Sequence, residues 1–319
     1  MGLLDTRIVW SPFEYPQAAE YWLKQQQGHW LHTEVSLAMD INDWKLKLTE
    51  SEKNLVGNIL KSFTQMEILV GDYWANFVLR TFKKPEIQAM ASTFAAFESI
   101  HATSYNYLSE SLGLTDFAAF LQDPVAKAKL DRLITAKRKS RSEIARSLAV
   151  FSGFTEGVSL FSSFAVLLSF SRRNLLKGVG QIISFSIRDE SLHAEAGTWL
   201  FREFVKEYPE VYTEELKQEI YEAARVTVDL EDAFIDKAFE LGPVEGLDPK
   251  DLKAFIRARC NTKLIDLGLK TNWKTIDKEA LQRMDWFNWL SRGTEHADFF
   301  AGRVTTYSKG NKDWSKIWT

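Results

Sequence analysis

The chain has 319 residues, 45% of them hydrophobic, enough to bury a sizeable core and too apolar for a disordered protein. A net charge of −3 supplies no basic field for nucleic acid, and one cysteine, Cys260, excludes internal disulfides and thiolate-built zinc or iron–sulfur sites, as suits a reducing cytoplasm. No apolar leader opens the chain, and its most membrane-like run, Phe154 to Phe170, carries Glu156 and meets Arg172-Arg173, so a buried bundle helix is expected there, not a membrane span.

Apolar residues recur at helical spacing and strands are hard to find, which predicts an all-α protein. The first helix is predicted from Pro16 to about Gly28. Thr49 and Glu52 form a T-x-x-E capping box that opens a long helix to about Phe82, and Lys83-Lys84-Pro85 breaks it. Pro85 then starts a helix that stops near Gly113. A short helix near Thr115–Gln122 and a long polar one from about Val125 follow. The apolar Phe154–Ser171 helix turns over near Arg172–Gly180 into another that runs to about Glu207. Thr213–Leu241, Pro249–Leu267 and Lys278–Leu290 read as outer helices. Residues 1–302 are therefore expected to form one domain, and 303–319 a flexible C-terminal tail, polar with scattered aromatics.

Two copies of Glu-x-x-His stand out, Glu98-Ser99-Ile100-His101 and Glu190-Ser191-Leu192-His193. Lone glutamates precede them, Glu67 by 31 residues and Glu156 by 34. Glu and His three apart share a helix face, so each copy offers one metal an oxygen and a nitrogen. The midpoint of Glu67 and Glu98 falls on the break at 82–83, and that of Glu156 and Glu190 on the break at 173. Two helical hairpins would then bring all six residues to one level, about 22 Å from the turns. Four glutamates and two histidines are the ligand set of a carboxylate-bridged dimetal site in a four-helix bundle. Without thiolates they favour iron or manganese over zinc or copper. Tyr105, four residues after His101, shares their face and is placed to lose an electron and a proton to the metals.

Glu98-x-x-His101-x-x-x-Tyr105 with Arg188-Asp189-Glu190-x-x-His193 resembles the small, radical-generating subunit of class I ribonucleotide reductase, over nearly the whole chain from about Trp30. The resemblance implies a ferritin-like helical bundle with additional outer helices, usually a homodimer. It further implies a stored one-electron oxidant that starts ribonucleotide reduction in a separate large catalytic subunit. Glu67, Glu98, His101, Glu156, Glu190 and His193 become the metal ligands, and Tyr105 takes the radical position. Trp30 matches the tryptophan of the family's electron relay, and Asp189 the aspartate joining it to the metal-bound histidine, here His101. Tyr307 matches the tail tyrosine, and Ser308 to Thr319, with Trp314, Ile317 and Trp318 as apolar anchors, the segment that docks on the large subunit.

Two positions depart from the family's best-known members. Glu67 stands where they carry aspartate, as in subclasses that use manganese. Ser186 stands where an apolar residue lines the tyrosine pocket, to which Leu160, Ser163 and Phe164 would also contribute. Two versions therefore remain open: a Tyr105 radical, or an oxidant held by a manganese-containing pair. The resemblance implies a dinuclear cofactor, Fe/Fe, Mn/Fe or Mn/Mn, activated by oxygen, or by superoxide if dimanganese. About 15 residues precede the first helix, so the nucleotide-binding N-terminal domain of some members is not expected. The rivals are a ferritin-like dimetal oxidase or desaturase acting on a bound lipid, and a metal-storage bundle; neither needs Trp30, Asp189 and Tyr307.

Overall fold

Glu50–Asp72 (α3) and Pro85–Ser111 (α5) form the first of two helical hairpins, the most intimately packed pair among the described helices. The computed structural model describes residues 2–114, 123–133, 136–240 and 242–291. The remaining helices are α1 (Pro16–Gln27), α2 (Ala38–Leu46), the short α4 (Leu79–Thr81), α6 (Pro124–Leu133), α7 (Arg141–Val150), α8 (Phe161–Arg172), α9 (Lys177–Glu207), α10 (Glu214–Ala238), α11 (Pro249–Asp266) and α12 (Lys278–Arg283). Among the described residues there is no strand, only a bridge between Val244 and Leu247. The second hairpin is α7–α8 against α9, while α1 crosses α5 and α9, and α10 and α11 cover α7 and α8. This is the expected all-α bundle with outer helices. The predicted helix at Thr115–Gln122, the boundary at 302/303 and the whole tail lie outside the described residues.

Local signals act as the sequence suggests at most ends. Thr49 Oγ1 accepts from Glu52 N while a Glu52 carboxylate oxygen accepts from Thr49 N at 2.9 Å, a closed capping box that starts α3. Pro85 occupies the first turn of α5, where its missing N–H costs nothing. The start of α9 is different, because Leu176 sits at φ 47° and no side chain of its own caps the helix. Asp40 and Asp43 of α2 do so from a distance: Asp40 accepts from Gly178 N at 3.1 Å and Val179 N at 2.8 Å, and Asp43 from Leu176 N at 3.1 Å. Asp40→Ala would strand two buried N–H groups and should lower stability by about 2 kcal/mol, with Asp40→Asn costing less, as read from urea unfolding midpoints.

Four predicted helices are interrupted. The polar helix from Val125 is two, because Ser140 caps a new one by accepting from Glu143 N at 3.2 Å, and Ser147 grips both backbone groups of Lys137. The Lys278–Leu290 helix breaks at Met284 and resumes over 285–291. The Phe154–Ser171 helix is not continuous either: α7 passes into a π-helical segment, Phe151–Thr155, and α8 starts only at Phe161. Glu156 N donates to Phe151 O and Ser159 N to Phe154 O, both five residues back, so Glu156 sits in a widened turn. The Glu50–Phe82 helix contains a second π segment, Tyr73–Val78. Tyr73 stacks on Phe151 with rings 7° from parallel, so the two bulges pack on each other.

Glycines let the hairpins approach. A Cβ on Gly71 of α3 would lie 3.3 Å from Glu98 Cβ, and one on Gly197 of α9 would collide with the Ser152 side chain in the first π segment.

Candidate metal centre

All six predicted ligands meet inside the bundle, each 0–1% exposed. Glu67 comes from α3, Glu98 and His101 from α5, Glu156 from the turn after Phe151–Thr155, and Glu190 and His193 from α9. Ligand atoms of Glu67, Glu98, His101 and Glu190 lie within 4.8 Å of one another, and so do those of Glu98, Glu156, Glu190 and His193. Glu98 and Glu190 belong to both sets. The geometry is therefore two overlapping four-residue sites, each with one histidine, one carboxylate of its own and two shared carboxylates.

The buried charge needs a cation. Both oxygens of Glu67, Glu156 Oε2 and Glu190 Oε2 are buried without a hydrogen-bond donor, while Glu98 Oε1 and Glu190 Oε1 face only the imidazoles, His193 Nδ1 at 2.8 Å and His101 Nδ1 at 3.0 Å. Burial first, and then the Glu98 charge, push Glu67 and Glu190 well above the ordinary carboxylate range. Glu98 is held down at about 2 despite burial, because His193 and His101 flank it, with His193 Nδ1 2.8 Å from Oε1 and His101 Nδ1 3.1 Å from Oε2. Burial opposes the charged form of His193, yet Glu98 and Glu156 raise it to about 9. Two imidazoliums offset only two of the four carboxylates, so without an ion Glu67 and Glu190 stay buried only by holding protons, since unpaired carboxylates are too costly to bury. Two divalent ions would supply the missing charge and satisfy the orphaned oxygens, so the residues fit a dinuclear metal centre.

Outer contacts fix the imidazoles. His101 Nε2 lies 3.2 Å from Asp189 Oδ2, and Trp30 Nε1 donates to that same oxygen at 2.7 Å. Gln25 Nε2 donates to Asp189 Oδ1 at 2.9 Å, and Gln25 Oε1 lies 3.1 Å from His193 Nε2. These contacts place an Nε2 proton on each ring and turn Nδ1 to the carboxylates, so that with a metal bound Nδ1 would be the free, ligating nitrogen of each ring. Asp189 stays below the ordinary carboxylate range: burial raises it, but the hydrogen bond and charge of His101 prevail. Trp30 is buried, its ring 6.0 Å from that of His101 and 26° from parallel.

Tyr105 lies on α5 one turn beyond His101, rings 6.3 Å apart, and is fully buried. Its hydroxyl makes no hydrogen bond. Burial and then the Glu67 charge hold the phenol well above its usual pKa, with Ser186 facing it. Ser186 spends its proton on the Ile182 carbonyl at 3.2 Å. Phe63 packs on the phenol at 4.9 Å and Phe164 packs on Phe63 at 5.1 Å, so Phe164 reaches the pocket through Phe63.

The model of the family described as ribonucleotide reductase, small chain, matches residues 7–280. The chain belongs to the ribonucleotide reductase small-chain family. A probable ribonucleoside-diphosphate reductase small subunit of Invertebrate iridescent virus 6 is 34% identical over all of this chain and 99% of its own. The ribonucleoside-diphosphate reductase subunit beta of Chlamydia pneumoniae is 29% identical over 95% of this chain and 91% of its own. Among solved structures, a ribonucleotide reductase R2 subunit from Clostridium botulinum superposes with a TM-score of 0.81 at 20% identity, over 91% of this chain and 94% of its own. The dimanganese(II)-NrdF of Streptococcus sanguinis does so with 0.74 at 23% identity, over 88% and 99%. These two share the ferritin-like fold with it. The chain is thus a small subunit of ribonucleotide reductase, an oxidoreductase. No described helix is long and apolar enough to cross a membrane.

Tyr307 lies outside the described residues, so the relay can be followed only as far as Trp30. Three contacts were not foreseen: Gln25 between Asp189 and His193, Phe63 on Tyr105, and Trp74, whose indole donates to Glu156 Oε1 at 2.8 Å. Phe63 and Trp74 stand four before and seven after Glu67, on its helix face, and that spacing was the available signal.

Proposed function

We propose that this chain generates and stores the one-electron oxidant with which a large catalytic subunit reduces ribonucleoside diphosphates. The observation that carries the reading is the buried chain Trp30–Asp189–His101, which ties an oxidisable indole to a metal ligand. A lipid oxidase, or a bundle that merely stores metal, has no use for it. Glu67, Glu98, His101, Glu156, Glu190 and His193 would hold two ions, iron, manganese or one of each. When bound, such a pair reacts with oxygen or superoxide and supplies the oxidising equivalent.

The remaining steps belong to the protein. Tyr105 is neutral and protonated at rest, held so by burial and by Glu67, and so gives up its electron together with its proton. An indole that loses an electron becomes a far stronger acid, and Asp189 Oδ2 already receives the Trp30 proton and can hold it. Phe63, Phe164 and the apolar wall of the bundle exclude water from the phenol. Tyr307 would carry the oxidation onward, and Ser308–Thr319 would dock on the large subunit. The chain would work as a homodimer in the cytoplasm, away from nucleic acid and membranes; the buried, lone Cys260 supports a reducing setting.

Electron paramagnetic resonance of protein loaded with iron, manganese or both, then oxidised, tests the reading. An organic-radical signal lost in Tyr105→Phe places the oxidant on Tyr105; a manganese-coupled signal surviving that substitution places it on the metals. No oxidised signal under any loading would sink the reading. Removing Ser308–Thr319 should abolish turnover with the large subunit and leave that signal intact; undiminished turnover would remove the tail from the mechanism.

A further inference from the structure

The two halves of the metal centre are built alike but are not held alike. Glu67 and Glu156 occupy equivalent places, each the private carboxylate of one half beside His101 or His193. No donor reaches either oxygen of Glu67. Of Glu156, only Oε2 is free in this sense, because Oε1 accepts the Trp74 indole N–H at 2.8 Å.

That indole has no freedom to turn away. Trp74 is wholly buried, and its ring meets Phe94 edge-on at 4.9 Å, His193 at 5.9 Å and Phe151 at 6.3 Å. It belongs to the Tyr73–Val78 π segment, Glu156 follows the Phe151–Thr155 π segment, and Tyr73 stacked on Phe151 locks the two segments together. Donor and acceptor are therefore each fixed by a helix irregularity, the kind of feature that clusters at functional sites. An N–H donor to a carboxylate is charge-assisted and stronger than one to a neutral acceptor.

We propose that Trp74 is a positioning residue that restricts Glu156 to metal contact through one oxygen, while Glu67 is free to use two, and that this makes the two metal ions chemically unequal. With ions bound, the one beside His193 would have one protein oxygen fewer than the one beside His101, and so more room for an exogenous ligand. The inequality rests on the dimetal reading above and deepens it. It gives a physical basis for the two halves to prefer different ions or oxidation states, because coordination number and ligand freedom set those preferences.

The test compares manganese(II)-loaded crystal structures of the native chain, of Trp74→Phe, and of a chain with 3-benzothienylalanine at position 74, an isostere that lacks only the N–H. In the native protein one Glu156 oxygen should touch its ion. In both altered chains Glu156 should bind through two oxygens or swing to bridge, with Glu67 unchanged. Manganese titration should show one of the two affinities shifted about tenfold or more and the other unmoved, as for loss of a hydrogen bond behind a ligand. The isostere keeps the test valid if phenylalanine leaves a disruptive void. Two Glu156 oxygens on the ion in the native protein, or the same single oxygen in all three chains, would overturn the proposal. A native chain that takes up fewer than two ions would instead bring down the dimetal reading, and this proposal with it.

Discussion

Glu98→Ala should fold normally yet retain metal in neither half of the centre. Glu98 is one of only two residues common to both ligand sets, the other being Glu190, and its oxygens face both histidines. Removing it takes one negative charge and one ligand from each ion at once. Glu67→Ala withdraws a carboxylate from the His101 half alone, since Glu67 is not among the residues gathered around His193. After dialysis the native chain should keep about two ions, Glu67→Ala about one and Glu98→Ala essentially none, because metal binding is the sum of few strong contacts. Ribonucleotide reduction with the large subunit should fall to background in Glu98→Ala. A ligand that binds only the folded chain stabilises it by about 2.7 kcal/mol at a hundredfold excess over Kd. Chelation of both ions should therefore lower the native Tm by roughly 8 °C and leave that of Glu98→Ala unmoved. Two ions retained by Glu98→Ala would mean that the ligands were assigned to the wrong cluster.

The clustering of these six residues was legible in the sequence because each requirement left a periodic trace. Glu98 with His101, and Glu190 with His193, lie three apart on one face, and hairpin symmetry about two chain breaks placed Glu67 and Glu156 level with them. Capping chemistry was equally local, so Thr49, Glu52 and Pro85 marked true helix starts. The irregular parts were not legible. A π segment inserts one residue into a helical turn, and the two here are supported by each other, through Tyr73 on Phe151, across residues far apart in the chain. Gln25 is similar: nothing near it marks a functional amide, and it acquires its role only when α1 brings it to Asp189, 164 residues away. The start of α9 could not be found by looking for a cap beside it, since Asp40 supplies the cap from 138 residues upstream.

Asp189→Asn is the substitution that should separate the metal centre from its relay. Asp189 only accepts: Oδ2 takes the Trp30 indole proton and faces His101 Nε2, and Oδ1 takes the Gln25 amide. An asparagine keeps the shape but replaces one acceptor oxygen with an NH2 group that can only donate. Turned one way, that NH2 confronts Trp30 and His101; turned the other, it confronts Gln25, whose amide must flip and lose its contact with His193. In the first orientation the imidazole of His101 is driven to the wrong tautomer, with its proton on the nitrogen that should meet the metal. In either orientation no carboxylate remains to hold the proton that an oxidised Trp30 releases. A comparable replacement in a catalytic triad lowers kcat about 10⁴-fold with the geometry intact. Turnover with the large subunit should accordingly fall by about 10³-fold or more, while metal content drops far less than in Glu98→Ala. Stopped-flow absorption should show the oxidant forming in Asp189→Asn but no longer consumed when large subunit and substrate are added. Near-native turnover would show that charge leaves the centre by a route that does not pass through Asp189 and Trp30.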